Sequence, residues 1–280
     1  SAAAWAGAIH TPNDGRAEPS RAAPAFARAA QRAGVAVLTR CAVRGLESEA
    51  GRVSAAVTEQ GRIATSAAVI AGGAWSSLFC RRHEVIFPQL QVLSSVLRTA
   101  PMEEVFAGGL WSHDFAFRRR LDGGYSVAPG HFSVFDLTPG LFRQFRFFTE
   151  LATDWRWSFE AESPFERCRV LDPAPYAPAL ERTAASLHAA FPAFAKVPIV
   201  ERWAGMIDAT PDAVPAISAV DGRPGLFLAS GFSGHGFGIG PGAGRLMADL
   251  VTGAKPCVDP APFRYSRFVD GTRLAPFVLN

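Results

Sequence analysis

The residues with the most specific chemical potential in this chain are glycines near its end. In GLFLASGFSGHGFGIGPGAGRLMADLVTG, residues 225–253, an apolar run from Leu226 to Ala229 leads into Gly231, Gly234, Gly236, Gly238, Gly240, Gly242 and Gly244, then into a helical pattern. The order is strand, glycine turn, helix. Glycine lets backbone amides approach a ligand with no side chain in the way, and a helix start presents unpaired N–H groups at the positive end of its dipole. Such a turn suits an electron-rich or anionic group. Gly238, Gly240 and Ala243 formally fit the dinucleotide fingerprint G-x-G-x-x-G/A, with Asp259 about 20 residues on. The fingerprint also needs a second parallel strand, and Pro256, Pro260 and Pro262 stand where that strand would be.

Arginine is the natural partner of a small carboxylate, because its planar fork can bind both oxygens. Arg118, Arg119 and Arg120 lie on a predicted strand, where alternation points Arg119 to the face opposite the other two. Arg202, beside Trp203, is a second place for such a contact, and Tyr125 could add a phenol. His235 sits among glycines and reads more readily as a backbone brace than as a base. Asp14 and Asp212 read as turn-closing residues, and Thr210 and Pro211 as fixing the chain's approach to the site. Cys41, Cys80, Cys168 and Cys257 lie far apart without metal-ligand spacing, so buried free thiols are expected and no metal.

The elements that must carry these residues follow from pattern. A helix is predicted from Ser20 to Ala33, with Ser20 as N-cap and Gly34 just past its end. Short strands are predicted at Val35–Leu38, Ala42–Ser48, Arg52–Glu59, Gly61–Thr65 and Ala67–Ala71. From about Pro88 to Pro198 the chain is rich in arginine and aromatics (FAFRRRLDGGYSVAPGHF, FRQFRFF, DWRWSF), with Gly123 and Gly124 marking a hairpin. A helix is predicted over Pro178–Phe191, with Leu180, Ala184, Leu187 and Phe191 on one face. The last helix places Pro241 near its first turn, buries Leu246, Met247, Leu250 and Val251, and closes at Gly253.

With 280 residues and 49% hydrophobic content, the chain can bury more than one core. No apolar run approaches the roughly 20 residues of a membrane span. The net charge is +3 and Lys196 and Lys255 are the only lysines, so no basic face for nucleic acid is expected. The expected setting is the cytoplasm.

The order of these motifs resembles a known family. WAGAIHTPNDGRAEP, a helix and meander ending in AAVIAGGAWSS, an arginine- and aromatic-rich sheet, RWAGMIDATPDAVPAIS and the glycine turn together resemble the FAD-dependent D-amino-acid oxidase family, the group of glycine oxidase, sarcosine oxidase and D-amino-acid dehydrogenases. The resemblance covers almost the whole chain. It implies mixed α/β and α+β architecture: a partial FAD-binding domain of the glutathione-reductase type (1–82 and 200–280), interrupted by a substrate domain with a mostly antiparallel sheet (83–199). It implies FAD held noncovalently by Val43, Gly72, Gly73, Trp75, Gly205, Gly231, Ser233, Gly234, His235 and Gly236. The reaction implied is oxidation of the C–N bond of an amino acid or N-methylated amine to an imine, with either oxygen or a carrier as acceptor.

Two departures qualify the resemblance. The family's opening strand and G-x-G-x-x-G turn, which hold the FAD pyrophosphate, have no counterpart here; a βαβ unit alone takes about 30 residues. The chain thus reads as a carboxy-terminal portion. A partner chain supplying that unit, self-association through the uncovered Ala67–Ala71 strand, and a noncatalytic remnant that has lost FAD are the alternatives. The lysine that sarcosine oxidases carry after G-H-G is matched by Gly238, and the arginine of glycine oxidase by Ile207, so substrate identity is not transferred.

Overall fold

The computed structural model describes residues 1–130 and 157–275 and divides into two compact units. The FRQFRFF segment lies outside the described residues. The first unit comprises 1–37, 93–137 and 172–205, the second 38–92, 138–171 and 206–280.

The first element is helix α1 (Pro19–Arg32). It starts one residue ahead of the predicted Ser20 cap, because Pro19 is preset for a first helical position and Glu18 takes the cap position. Glu18 makes no side-chain cap; its carboxylate turns to Arg118 and to the amide of Leu121 instead. The expected strand at Val35–Leu38 does not form. Its apolar residues are exposed, and a strand without a hydrogen-bonding neighbour has nothing to hold it extended.

The second unit opens with the antiparallel meander β1 (Val43–Glu49), β2 (Arg52–Thr58) and β3 (Gly61–Ala64), close to the predicted bounds. β4 (Ala68–Ile70) follows and leads through a short 3₁₀ turn, Gly73–Trp75, into helix α2 (Ser76–Arg82). The end of α2 is a Schellman motif: Val85 N–H donates to Cys80 O and Glu84 N–H to Arg81 O. That motif calls for glycine at its left-handed position, yet Glu84 occupies it at φ 58. Replacing Glu84 with glycine relieves about 1 kcal/mol of backbone strain, and a rise in thermal midpoint of a few degrees is the expected result.

Helix α3 (Pro164–Arg167) belongs to the second unit and α4 (Ala177–Ala190) to the first. The strands β5 (Leu90–Thr99), β6 (Gly109–Trp111), β7 (Ala116–Arg119), β8 (Tyr125–Ala128) and β9 (Ile199–Ala209), which lie mostly in the first unit, make a five-stranded sheet in the order β6-β7-β8-β5-β9. The β6–β7, β7–β8 and β5–β8 pairs are antiparallel, and the β7–β8 hairpin turns at Gly123, φ 85. Leu97, Phe117, Tyr125 and Val127 share the face that packs on Leu180, Leu187, Phe191 and Phe194. Burying side chains of this size contributes about 2 kcal/mol each.

The second unit closes with β10 (Ala216–Ala219), β11 (Leu226–Ser230) and α5 (Gly236–Thr252). Its sheet runs β10-β11-β4, with β4 parallel to β11 at one edge. β4 has one strand neighbour among the described residues, and its Val69 is exposed. α5 begins earlier than predicted, so Pro241 lies inside it; Gly253 closes it in the left-handed conformation, φ 70. No strand follows α5 among the described residues, which agrees with setting the dinucleotide fingerprint aside. Leu246 and Met247 are buried as predicted, with Ala243 and Asp249; Leu250 and Val251 are partly buried beside them.

Of the four cysteines only Cys80 is buried, which corrects the expectation for the others: Cys41 and Cys168 are half-buried and Cys257 exposed. Burial pushes the Cys80 thiol up to about 12, so it stays protonated and inert.

Candidate active site

β11 alternates, with Leu226, Leu228 and Ser230 facing inward. Ser230 is the polar member of that row and is fully buried, so its hydroxyl needs partners. Its Oγ lies 2.7 Å from Ser76 Oγ, 3.0 Å from Asp208 Oδ2 and 3.3 Å from Gly73 O. Having one proton to give, Ser230 donates best to the carboxylate and accepts from Ser76. Asp208 Oδ2 also accepts the Gly231 N–H at 2.6 Å, and Asp208 O accepts the Ser233 N–H at 2.8 Å. One aspartate therefore fastens the end of β9 to the glycine turn, and the two serines fasten that turn to the Gly73–Ser76 turn after β4. Gln89 extends the same lattice, donating to Gly73 O and accepting the Ser77 N–H.

Gly231 (φ 82), Ser233 (φ 53) and Gly234 (φ 86) all take the left-handed conformation. Ser233 is held there by its Oγ, which donates to Gly231 O and accepts the Thr210 N–H. The main-chain amide of His235 donates to Phe232 O at 2.9 Å. No side chain caps α5, and its first amides, Gly236 to Gly238, have no intrahelical carbonyl within reach. Gly234 and His235 are exposed beside them. The space beside Gly73 is open, since a Cβ added there would meet no atom within 4 Å.

The structure thus brings Gly72, Gly73, Gly231, Ser233, Gly234, His235 and Gly236 into one neighbourhood. Trp75 stands at its edge, packed edge-on against Phe165 at 5.6 Å. Val43 begins β1, outside this hydrogen-bonded lattice, and Gly205 lies on β9, where an added Cβ would meet no atom within 4 Å. Asp212 closes its turn as predicted, accepting the Val214 N–H, and also pairs with the buried Arg267 at 2.8 Å.

The arginines of the first unit follow the predicted alternation. Arg118 and Arg98 both pair in register with Ser126, making a row Arg118–Ser126–Arg98 on the face away from the aromatic core. Arg120 joins them, donating to Ser126 Oγ at 3.1 Å. Arg118 holds Glu18 at 3.0 Å and lowers its carboxyl below the ordinary range, yet Arg118 Nη1 is buried with no partner among the described residues. Arg119 pairs with Glu104. Arg202 is exposed on β9. Tyr125 is in the core, its hydroxyl taken by the amides of Val105 and Phe106 and by Phe106 O.

The family model for FAD dependent oxidoreductases (DAO) matches residues 1–250 of the chain. The chain belongs to the DAO family. Among relatives of this DAO-family chain, glycine oxidase of Pseudomonas putida is 28% identical over 232 residues, covering 82% of this chain and 53% of its own length. D-amino acid dehydrogenase of Sinorhizobium medicae is 26% identical over 94% of this chain and 55% of its own. L-amino acid deaminase from Proteus myxofaciens, solved in complex with anthranilate, superposes with a TM-score of 0.77 and 34% identity, over 88% of this chain and 59% of its own. The chain spans about half the length of the curated relatives it matches. The mixed architecture is that of FAD-dependent amino-acid oxidoreductases. No helix among the described residues is long and apolar enough to cross a membrane.

Proposed function

We propose that this chain supplies the flavin-edge and substrate-recognition part of an enzyme that oxidises the C–N bond of an amino acid or N-methylated amine. The observation that carries the reading is the uncapped start of α5 beneath a turn fixed by Asp208, Ser230 and Ser233. Its free amides fit the electron-rich pyrimidine edge of a flavin, where donors and a helix dipole favour negative charge. A bound FAD supplies the two-electron acceptor. The amides of Gly234, Gly236, Phe237 and Gly238 would hold that edge, and Gly72 and Gly73 keep side chains out of its way.

For the substrate, Arg118 is the arginine best suited to a carboxylate. Its face is clear of the aromatic core, and its Nη1 has a donor to spare. Arg119 is tied to Glu104 and Tyr125 to the backbone, which leaves exposed Arg202 as the second residue for that task.

The visible spectrum of the purified protein, before and after added FAD, tests this reading. Flavin bands that persist through gel filtration and are released on denaturation, together with bleaching by amino acids in the absence of oxygen, are the expected result. A protein that stays colourless after incubation with FAD would instead support a noncatalytic role for this chain.

A further inference from the structure

A second group of donors shares no residue with the glycine turn. Leu46 and Ser48 of β1, Arg82, His83 and Glu84 at the end of α2, Trp157, Ser158 and Phe159, and Arg223 in the β10–β11 turn line a cavity of about 690 Å³. Its walls combine two aromatic rings with two guanidinium groups and one carboxylate, so the lining carries one excess positive charge.

The donors in it are fixed. Leu46 N–H donates to His83 Nε2 at 3.1 Å, so that nitrogen holds a lone pair and the proton sits on Nδ1. The ring is clamped between Phe79 at 5.0 Å and Phe159 at 5.9 Å. Burial, with Arg82 and Arg223 nearby, holds the imidazole down to about 4, which keeps it neutral at pH 7. Arg82 spends Nε on Trp157 O at 3.1 Å, and its guanidinium lies 4.6 Å from the Phe159 ring and 5.8 Å from that of Trp157. Among the described residues no carboxylate pairs with Arg82, so its two terminal nitrogens have donors to offer. Arg223 is different, since it meets Glu84 at 3.2 Å where both are exposed.

We propose that this cavity binds a small aromatic monocarboxylate, its carboxylate on the terminal fork of Arg82 beside His83 Nδ1–H and its ring against Trp157 and Phe159. The fork suits carboxylate and phosphate oxygens alike, but the one excess positive charge of the lining balances a carboxylate monoanion and leaves half the charge of a phosphate dianion uncompensated. The aromatic walls reward a ring, which covers apolar surface and completes the stack begun by Arg82. Glu84 opposes the anion from the rim. Its side chain is 85% exposed, and an ion pair so open to solvent adds little to stability, so removing its charge leaves the fold intact.

Calorimetric titration with phenylacetate, and separately with inorganic phosphate, tests the site in four proteins. The wild type should bind one phenylacetate per chain. Arg82→Gln should weaken it by about tenfold or more, the loss of a charged hydrogen-bonded partner, while Glu84→Gln should tighten it about threefold through the lost repulsion. Circular dichroism and melting of Arg82→Gln show whether it folds, and Glu84→Gln gives an independent reading if it does not. Absence of saturable binding in the wild type, unchanged affinity in Glu84→Gln or in folded Arg82→Gln, or loss of binding in Arg118→Gln instead would overturn the proposal. Phosphate binding more tightly than phenylacetate would overturn the aromatic carboxylate assignment. Because the titration needs no flavin, it stands or falls separately from the oxidoreductase reading.

Discussion

Gly231→Ala is expected to lose about 3 kcal/mol or more and to dismantle the turn at the proposed flavin edge. Two costs add. At φ 82 a side chain costs about 1–2 kcal/mol in backbone strain. The new Cβ would also stand 2.4 Å from Thr210 Cγ2 and 3.2 Å from Phe87 Cζ, and overpacking of this kind costs about 1–3 kcal/mol. Thr210 cannot step aside, because its amide donates to Ser233 Oγ and its hydroxyl to Val214 O. Any shift of the turn would strain the bond from Gly231 N–H to Asp208. Gly238→Ala is the informative control. It lies within α5 with nothing within 4 Å of a Cβ, so alanine there should stabilise by up to about 1 kcal/mol through helix propensity. Thermal melts of the two variants should move in opposite directions; equal melting would show that the turn is not constrained as described.

The contrast between those glycines also explains what can be read from sequence. Gly231, Gly234 and Gly253 each satisfy a local backbone demand, so the residue type announces the conformation. The meander and the arginine alternation are legible for the same reason: a period of two is a local property. Asp208 is not legible, because its role depends on Ser230 and Gly231, which reach it only across the Ala209–Phe232 bridge. An acidic residue in the otherwise apolar GMIDA segment is the available signal. Tyr125 reads as free for a ligand because the backbone groups that take its hydroxyl lie 19 and 20 residues away. The segment Val35–Leu38 is an apolar run with two β-branched residues, which suits a strand, but composition alone cannot provide a hydrogen-bonding neighbour. The start of α5 departs from expectation in the other direction. Glycine and proline argue against helix locally, while the burial of Ala243, Leu246 and Met247 fixes the whole segment against the sheet.

The second large effect is expected at Glu166. Its carboxylate receives Arg44 Nη2 at 2.7 Å and Nε at 3.1 Å, and also the Ser163 N–H at 2.6 Å, closing a capping box at the start of α3. The side chains of Arg44 and Glu166 are 18% and 5% exposed. Glu166→Ala leaves a largely buried guanidinium and a helix-start amide without their acceptor, a loss of about 3 kcal/mol. Glu166→Gln retains an acceptor and removes the charge, so its cost should be about half as large. Hydrogen bonding to Arg44 is the main reason the Glu166 carboxyl is held down to about 2, against 4.5 for the free group. A folded-state value below the unfolded one means that the stabilisation is complete above about 4.5 and is lost as pH falls toward 2. The urea midpoint of the wild type should therefore drop between pH 5 and pH 2 more steeply than that of Glu166→Gln. Glu59, held down to about 2 chiefly by Arg169, titrates in the same window in both proteins; the charge of Glu166 is only the last of the influences on it, so most of its contribution is common to the two curves. Parallel midpoint curves would show that the Arg44 pair carries no linkage. The pair also bears on the aromatic cavity, since Arg44 Nη1 donates to Phe159 O and Arg44 O accepts from Trp157 Nε1. Releasing Arg44 should loosen both rings, so Glu166→Ala should weaken phenylacetate binding although it touches no part of the cavity wall.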